Sequence, residues 1–314
     1  DEVRLSKTLE RIDGRSYPAY REIKGEWRLG GFTLIVDRVQ GDPFAAPSRV
    51  RVQTKTRINE DILTDRDSRI AAEDWLLRRF EKALIFKRLG SGRSGEVRCL
   101  HPGPEVEERS AVRLLADGRV EVRFQVGLPA KGRRILGRSA WTLFDETVRD
   151  AAGALLAIDG LKTHVESVVF QRELRRVAVK AGLVAFVGNG SMLPRVSGVE
   201  NSPLPNAVPF ESPSSLQVTL DVLGESVSGM GIPAGVTVIV GGGFHGKSTL
   251  LQAIQRGHLE HVPGDGRERV VAHLDTVKIR AEDGRRVAAV DISAFQKNLP
   301  GGRTTCPFDT DDAS

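Results

Sequence analysis

The chain has 314 residues, 40% of them hydrophobic and 28% charged, with a formal net charge of +5; this suits a globular chain of two domains and excludes a collagen or a disordered tail. No segment approaches the roughly 20 apolar residues that cross a bilayer, and the opening DEVRLSKTLERID carries charges where a signal peptide has an apolar run, so a soluble intracellular protein without membrane contact is expected. Cys99 and Cys306 are far apart and have no CxxC partner, which leaves no disulfide framework and no cysteine-based zinc site.

In chain order, residues 32–36 read as a strand, 40–48 as a glycine- and proline-bearing break, and 49–52 as a strand whose alternation places Arg49 and Arg51 on one face. Between 68 and 89 the apolar residues Ile70, Ala71, Trp75, Leu76, Phe80, Ala83 and Leu84 recur at helical spacing. Arg78, Arg79, Lys82, Lys87 and Arg88 lie among them, so an amphipathic helix with a basic flank is predicted. Residues 110–115 and 120–126, joined at Asp117-Gly118, predict a hairpin. The densest basic knot, Lys131-Gly-Arg133-Arg134 with Arg138 close behind, precedes helical patterns over about 139–158 and 161–180. The second carries Arg172, Arg175, Arg176 and Lys180 near its end, where cations suit the helix dipole. An apolar strand at 183–187 follows, and 188–215, rich in Gly, Pro, Ser and Asn, is the expected inter-domain connection.

Val236-Thr-Val-Ile-Val240 reads as a buried strand running into Gly241-Gly242-Gly243-Phe244-His245-Gly246-Lys247-Ser248-Thr249, after which Leu250, Leu251 and Ile254 open an apolar helical face. Strand, GxxxxGK[ST] loop and helix form the Walker A arrangement. The four glycines let the backbone wrap until consecutive N–H groups point at phosphate oxygens. Lys247, the expected catalytic residue, would reach the β- and γ-phosphates, the Ser248 hydroxyl would ligate Mg²⁺, and the helix start would turn its positive dipole end toward the phosphates. ATP, ADP and Mg²⁺ are therefore the expected ligands, with Phe244 and His245 at the variable positions. A glycine-rich turn with a solvated lysine is the bland alternative, and the flanking strand and helix patterns argue against it.

Segments on both sides of the loop, 216–220, Gly229-Met-Gly-Ile-Pro-Ala-Gly235 and 258–268, together with 20–25, 39–49, 127–130, 132–137 and 207–213 upstream, resemble the family of predicted ATPases of the ABC class over nearly the whole chain. The resemblance implies an α/β fold: a family-specific basic accessory domain over 1–205, then an ABC-type nucleotide-binding domain over 206–314. It further implies a head-to-tail homodimer that holds each ATP between the Walker A of one copy and the signature segment of the other, closing on ATP and opening after in-line attack by water. Some members occur in mitochondria in association with RNA processing, which makes RNA the first partner to expect and the cytoplasm or mitochondrion the expected location.

The end of the chain departs from the ABC pattern. No signature segment, switch histidine or apolar strand ending in Asp-Glu is legible there; 287–292 reaches Asp291 but comes too early and continues into Ser293. The expectation is a chain holding the first part of the ATPase domain of a longer protein, with the general base outside it. Gln296 lies roughly where the resemblance places a Mg²⁺-reaching glutamine, a surface amide being the other reading. His258, His261, Asp265 and His273 lack ligand spacing and read as loop and surface groups.

Charge is unevenly distributed. Residues 1–200 carry 36 Lys+Arg against 28 Asp+Glu, whereas 201–314 carry 10 against 13. Patches at 49–57, 78–88, 131–138 and 172–180 are expected to touch phosphate backbones through Arg49, Arg51, Arg78, Arg79, Arg133, Arg134, Arg175 and Arg176, ordinary solvated faces being the alternative. Aromatic residues make up only 5% of the chain, so backbone contact rather than base stacking is expected. The leading expectation is an ATPase whose dimer closure clamps or remodels a nucleic acid. A nucleotide-dependent scaffold with little turnover is the alternative, and a small-molecule kinase on the same loop a remote third.

Overall fold

The computed structural model describes residues 1–85, 90–241, 245–279, 285–294 and 304–313, and its contacts separate Asp1–Leu274 from Asp275–Ser314. The first unit opens with α1 (Glu2–Ile12), whose Leu5, Leu9 and Ile12 recur at helical spacing and are buried. Strands β1 (Gly25–Leu29), β2 (Phe32–Arg38) and β3 (Ser48–Lys55) follow as an antiparallel meander. After α2 (Glu60–Thr64), α3 (Arg66–Ala83) starts where the Asp65 side chain accepts a 2.8 Å hydrogen bond from the Ser68 backbone N–H. The predicted helix thus ends at Ala83, and Lys87 and Arg88 lie outside the described residues.

Short strands β4 (Val97–Arg98), β5 (Glu105–Val106) and β6 (Val112–Leu114) lead to β7 (Arg119–Val126). The Asp117-Gly118 turn between β6 and β7 has Gly118 at φ +79°, the left-handed conformation the hairpin reading requires. A second hairpin, β8 (Ala130–Lys131) with β9 (Arg134–Ile135), carries the basic knot. Helices α4 (Gly137–Thr142) and α5 (Arg149–Ala154) are joined through a π-helical turn at Leu143–Val148, and α6 (Leu161–Lys180) follows.

The first sheet has the order β1-β2-β3-β7-β4, with β6 also beside β7. Period-2 alternation decides its faces: Val50 and Val52 of β3 are buried while Arg49 is exposed and Arg51 half-buried. Val50, Val52, Val122 and Phe124 join Leu5, Leu76 and Phe80 from the helices in one core, the Phe80 and Phe124 rings lying 5.3 Å apart.

Beyond α6, β10 (Leu183–Gly188), β11 (Gln217–Val222), β12 (Glu225–Pro233), α7 (Lys247–Arg256), β13 (Glu260–His261) and β14 (Val270–Ala272) complete the unit. The second sheet runs β11-β12-β10-β14, all antiparallel. On one face, Phe186, Val222, Val227 and Val271 pack on Leu174 and Ala178 of α6. On the other, Val187, Met230 and Val270 pack on Ala253 of α7. The expected division at 205/206 falls inside this sheet, since β10 precedes it and β11, β12 and β14 follow.

The segment 188–215 is likewise stitched to the unit: Phe210 donates to Ser191 at 2.8 Å, Met192 donates to Gly266 at 2.7 Å, and Leu193 is buried. Its composition signals irregular backbone, which is compatible with close packing. Gly229 of β12 marks one such contact, because a Cβ there would lie 2.3 Å from the Val187 carbonyl oxygen. Gly229→Ala is expected to lower stability by about 1–3 kcal/mol, measured by urea unfolding; an unchanged midpoint would contradict the close approach.

In the second unit, β15 (Arg285–Val290) pairs antiparallel with β16 (Phe308–Ala313), and Asp309 Oδ1 accepts the Ala289 N–H at 2.9 Å. Gln296 lies outside the described residues.

Candidate functional site

The Gly246–Lys247 junction is where loop becomes helix. Gly246, the N-cap of α7, sits at φ +79°, ψ +6°, a conformation glycine takes at no steric cost, and Lys247 is the first helical residue. Leu250 N–H donates to the Gly246 carbonyl at 2.9 Å. The N–H groups of the first turn have no carbonyl behind them within the helix and face outward, as an anion site requires. Ser248 is exposed, and Lys247 and Thr249 are half-buried. Gly241, at φ +155°, folds back until its Cβ position would lie 3.7 Å from Lys247 Cδ and 3.8 Å from His245 Cβ. The described ends of the predicted phosphate loop therefore meet beside the lysine; Gly242, Gly243 and Phe244 lie outside the described residues.

The strand expected at 236–240 does not form. Val236, Val238 and Val240 are 95%, 73% and 81% exposed, and no described strand pairs with this segment. β-branched residues favour an extended backbone, but a ladder partner is needed to satisfy its N–H and C=O groups.

At its other end α7 is tied to the rest of the unit. Arg256 lies 3.3 Å from Glu105 Oε1 of β5, and β5 pairs with β13, which follows α7 directly. Arg175 of α6 pairs with Glu260 of β13 and donates to the Ala272 and Gly257 carbonyls at 3.1 and 3.2 Å. Arg172 bridges Glu260, at 3.1 Å, and Asp67. Nearby, Asp265 is flanked by Arg195 at 2.6 Å and His261 Nδ1 at 2.7 Å. Burial pushes the Asp265 carboxyl up, but the His261 hydrogen bond and the charges of His261 and Arg195 outweigh it and hold it below the usual aspartate value.

Two further expectations need correction. His261 is 1% exposed, a core group paired with Asp265 rather than a surface histidine. Arg175 is 7% exposed, and its guanidinium is consumed by Glu260 and two carbonyls, so it cannot reach a phosphate backbone.

The other arginines do not gather into one patch. Arg78 holds Asp74 at 2.6 Å, and Arg79 lies 4.8 Å over the Trp75 ring and donates to the Ala154 carbonyl. Arg133 pairs with Asp42, Arg134 donates to the Gly14 carbonyl, and Arg176 pairs with Glu173. Arg49 and Arg51 instead line a groove of about 640 Å³ with Arg98 and Arg123. The sequence singled out neither of the last two. The alternation of β7 marks Arg123 as outward, but only strand register puts it beside Arg51.

A model described as the ABC ATPase P-loop domain matches residues 157–314, and one described as the N-terminal part of ATPases of the ABC class matches 2–159. The chain belongs to the ABC-class ATPase family. The family resemblance and the α/β fold are thus both borne out, and the two ABC-class matches meet at 157–159, just ahead of α6. An uncharacterized protein of Methanocaldococcus jannaschii is 31% identical over 160 residues, which cover 47% of this chain. The chain spans about a third, 35%, of that curated relative's length. Among the described residues of this member of the ABC-class ATPase family, no helix is long and apolar enough to cross a membrane, and no three His, Cys, Asp or Glu side chains are grouped to hold a metal.

Proposed function

We propose that the protein binds and hydrolyses ATP at the N-terminus of α7, and that nucleotide-driven closure of a homodimer clamps or remodels a nucleic acid, RNA first. One observation carries the reading: a left-handed Gly246 places Lys247 at the first helical position, beside Gly241, within a P-loop family match. The donors fit a polyphosphate. First-turn N–H groups would receive phosphate oxygens, the Lys247 ammonium would offset charge on the β- and γ-phosphates, and the Ser248 hydroxyl would hold Mg²⁺, with Gln296 as a second ligand. Bound Mg²⁺ supplies charge neutralisation to the phosphoryl group. His245 and Thr249 complete the described part of the loop.

The choice of RNA rests on the arginine excess of residues 1–200 and on the mitochondrial RNA-associated members of the family; it also leaves the cytoplasm or mitochondrion as the proposed setting. Because β10 shares a sheet with β11, β12 and β14 and the P-loop match begins at 157, we place the functional boundary ahead of α6 rather than at 205/206.

The test is ATP turnover by the full-length protein with and without RNA. Stimulation by RNA is expected; ATP binding without turnover would make the protein a nucleotide-dependent scaffold instead. RNA affinity is expected to fall steeply between low and physiological salt as counterions are released, and a flat salt response would contradict backbone binding.

A further inference from the structure

We infer that an RNA backbone lies across the outer face of the first sheet, over the arginine groove between β3, β7 and β4. The inference rests on the nucleic-acid reading above and gives it a surface. Strand register assembles that face row by row. Arg28, Thr33, Gln53, Glu121 and Arg113 form one row; Glu26, Ile35, Arg51 and Arg123 the next; Arg49, Gln125 and Arg98 the third. Six guanidinium groups thus meet four carboxylates, those of Glu26, Glu121, Asp37 and Glu96, the last two bound to Arg51 and Arg98. The opposite face is the one packed on α1, α3 and α5, leaving this one uncovered by any helix among the described residues.

Three of the carboxylates orient arginines, Glu96 by pairing with Arg98. Asp37 takes Arg51 in a two-pronged pair at 2.7 Å, Glu121 takes the remaining Arg51 nitrogen at 2.8 Å, and Arg123 Nε donates to Glu121 at 2.9 Å. Arg28, Arg49 and Arg113 form no ion pair among the described residues, and the Arg113 charge acts on the Glu73 carboxyl. Burial pushes the Glu121 carboxyl up, but hydrogen bonds from Gln53, Arg51 and Arg123 bring it below the usual glutamate value.

The chemistry favours a polyanion. Planar guanidinium forks match phosphate oxygens. At about 4.8 Å per strand, the five strands from β1 to β4 carry these charges across about 19 Å, enough for several phosphates. A protein interface is centred on apolar anchors, whereas the aliphatic residue of these rows, Ile35, is only 5% exposed, and of the leucines and valines in the groove lining Leu100 alone is exposed. The rows contain no aromatic residue, so contact is to the backbone without base stacking.

The test uses the full chain and a fluorescent 20-nucleotide single-stranded RNA, read by anisotropy over a salt series. Arg49→Glu, Arg98→Glu and Arg123→Glu combined should weaken binding by about 30-fold at low salt and flatten the slope of log affinity against log salt by about 2. Lys7→Glu with Lys162→Glu, at exposed positions of α1 and α6, should weaken it less than about 3-fold. Thermal unfolding and ATP binding report the fold of each variant; if the triple reversal does not fold, Arg49→Gln with Arg98→Gln should still cost about 5-fold. Wild-type affinity in a folded outer-face variant would overturn this surface while leaving the nucleic-acid reading intact. No RNA binding by the wild type at any salt would overturn both. Tighter binding to duplex DNA of the same length would overturn the assignment to RNA.

Discussion

Replacing Asp74 by alanine is expected to destabilise the protein by about 3–5 kcal/mol, because it strips a counter-ion from charges that stay buried. The Asp74 side chain, on α3, is fully inaccessible. Its oxygens meet Arg78 Nε at 2.6 Å, Arg109, and His164 Nε2 at 3.2 Å. Arg78 and Arg109 also donate to the Glu105 carbonyl at 3.1 and 2.8 Å. Glu105 in turn heads β5, which pairs with β13 and meets Arg256 at the end of α7. The loss therefore reaches the exit of the proposed nucleotide-binding helix as well as the first core.

Burial raises the Asp74 carboxyl, but hydrogen bonds and charge from His164 and Arg78 more than offset it, so the folded value lies below the ordinary 3.8. A depressed carboxylate stabilises the fold above its unfolded value, and that contribution is lost as pH falls through the folded one. Urea unfolding should therefore show the wild type losing stability below about pH 4, and Asp74→Ala should show a smaller acid-side loss from a lower starting point. A cost under about 1 kcal/mol at neutral pH would contradict a buried hub.

Features governed by local rules were legible in the sequence. Alternation in β3 separated Arg49 and Arg51 from Val50 and Val52, and the Asp-Gly turn announced its hairpin. The Gly246-Lys247 junction follows from loop and helix chemistry within a few residues, and so was readable before any tertiary contact. What escaped depends on partners distant in the chain. Asp74 looks like one more solvated charge on a helix until Arg109 and His164 arrive from other elements. Arg175 reads as a dipole-complementing cation near a helix end, but Glu260, 85 residues on, buries it. The run 236–240 shows the opposite failure: its β-branched composition promised a buried strand, and without a neighbouring ladder among the described residues it is exposed.

Lys247→Ala carries the other large effect. Charge-assisted hydrogen bonds contribute about 1.5–3 kcal/mol each. Loss of an ammonium reaching two phosphates should therefore weaken ATP binding by about 100-fold or more, at 1.4 kcal/mol per tenfold. The fold should be spared, since alanine is the best helix former and Lys247 is only half-buried at the first position of α7. Ser248→Ala should act differently, reducing the Mg²⁺ dependence of binding while leaving Mg²⁺-free nucleotide affinity near that of the wild type.

The most direct measurement is a calorimetric titration of ATP with Mg²⁺ into the wild type and Lys247→Ala, alongside their thermal unfolding. A phosphate-binding Lys247 predicts saturable binding by the wild type and at least about a 100-fold loss in the variant at an unchanged melting temperature; equal affinity in the two proteins would contradict it.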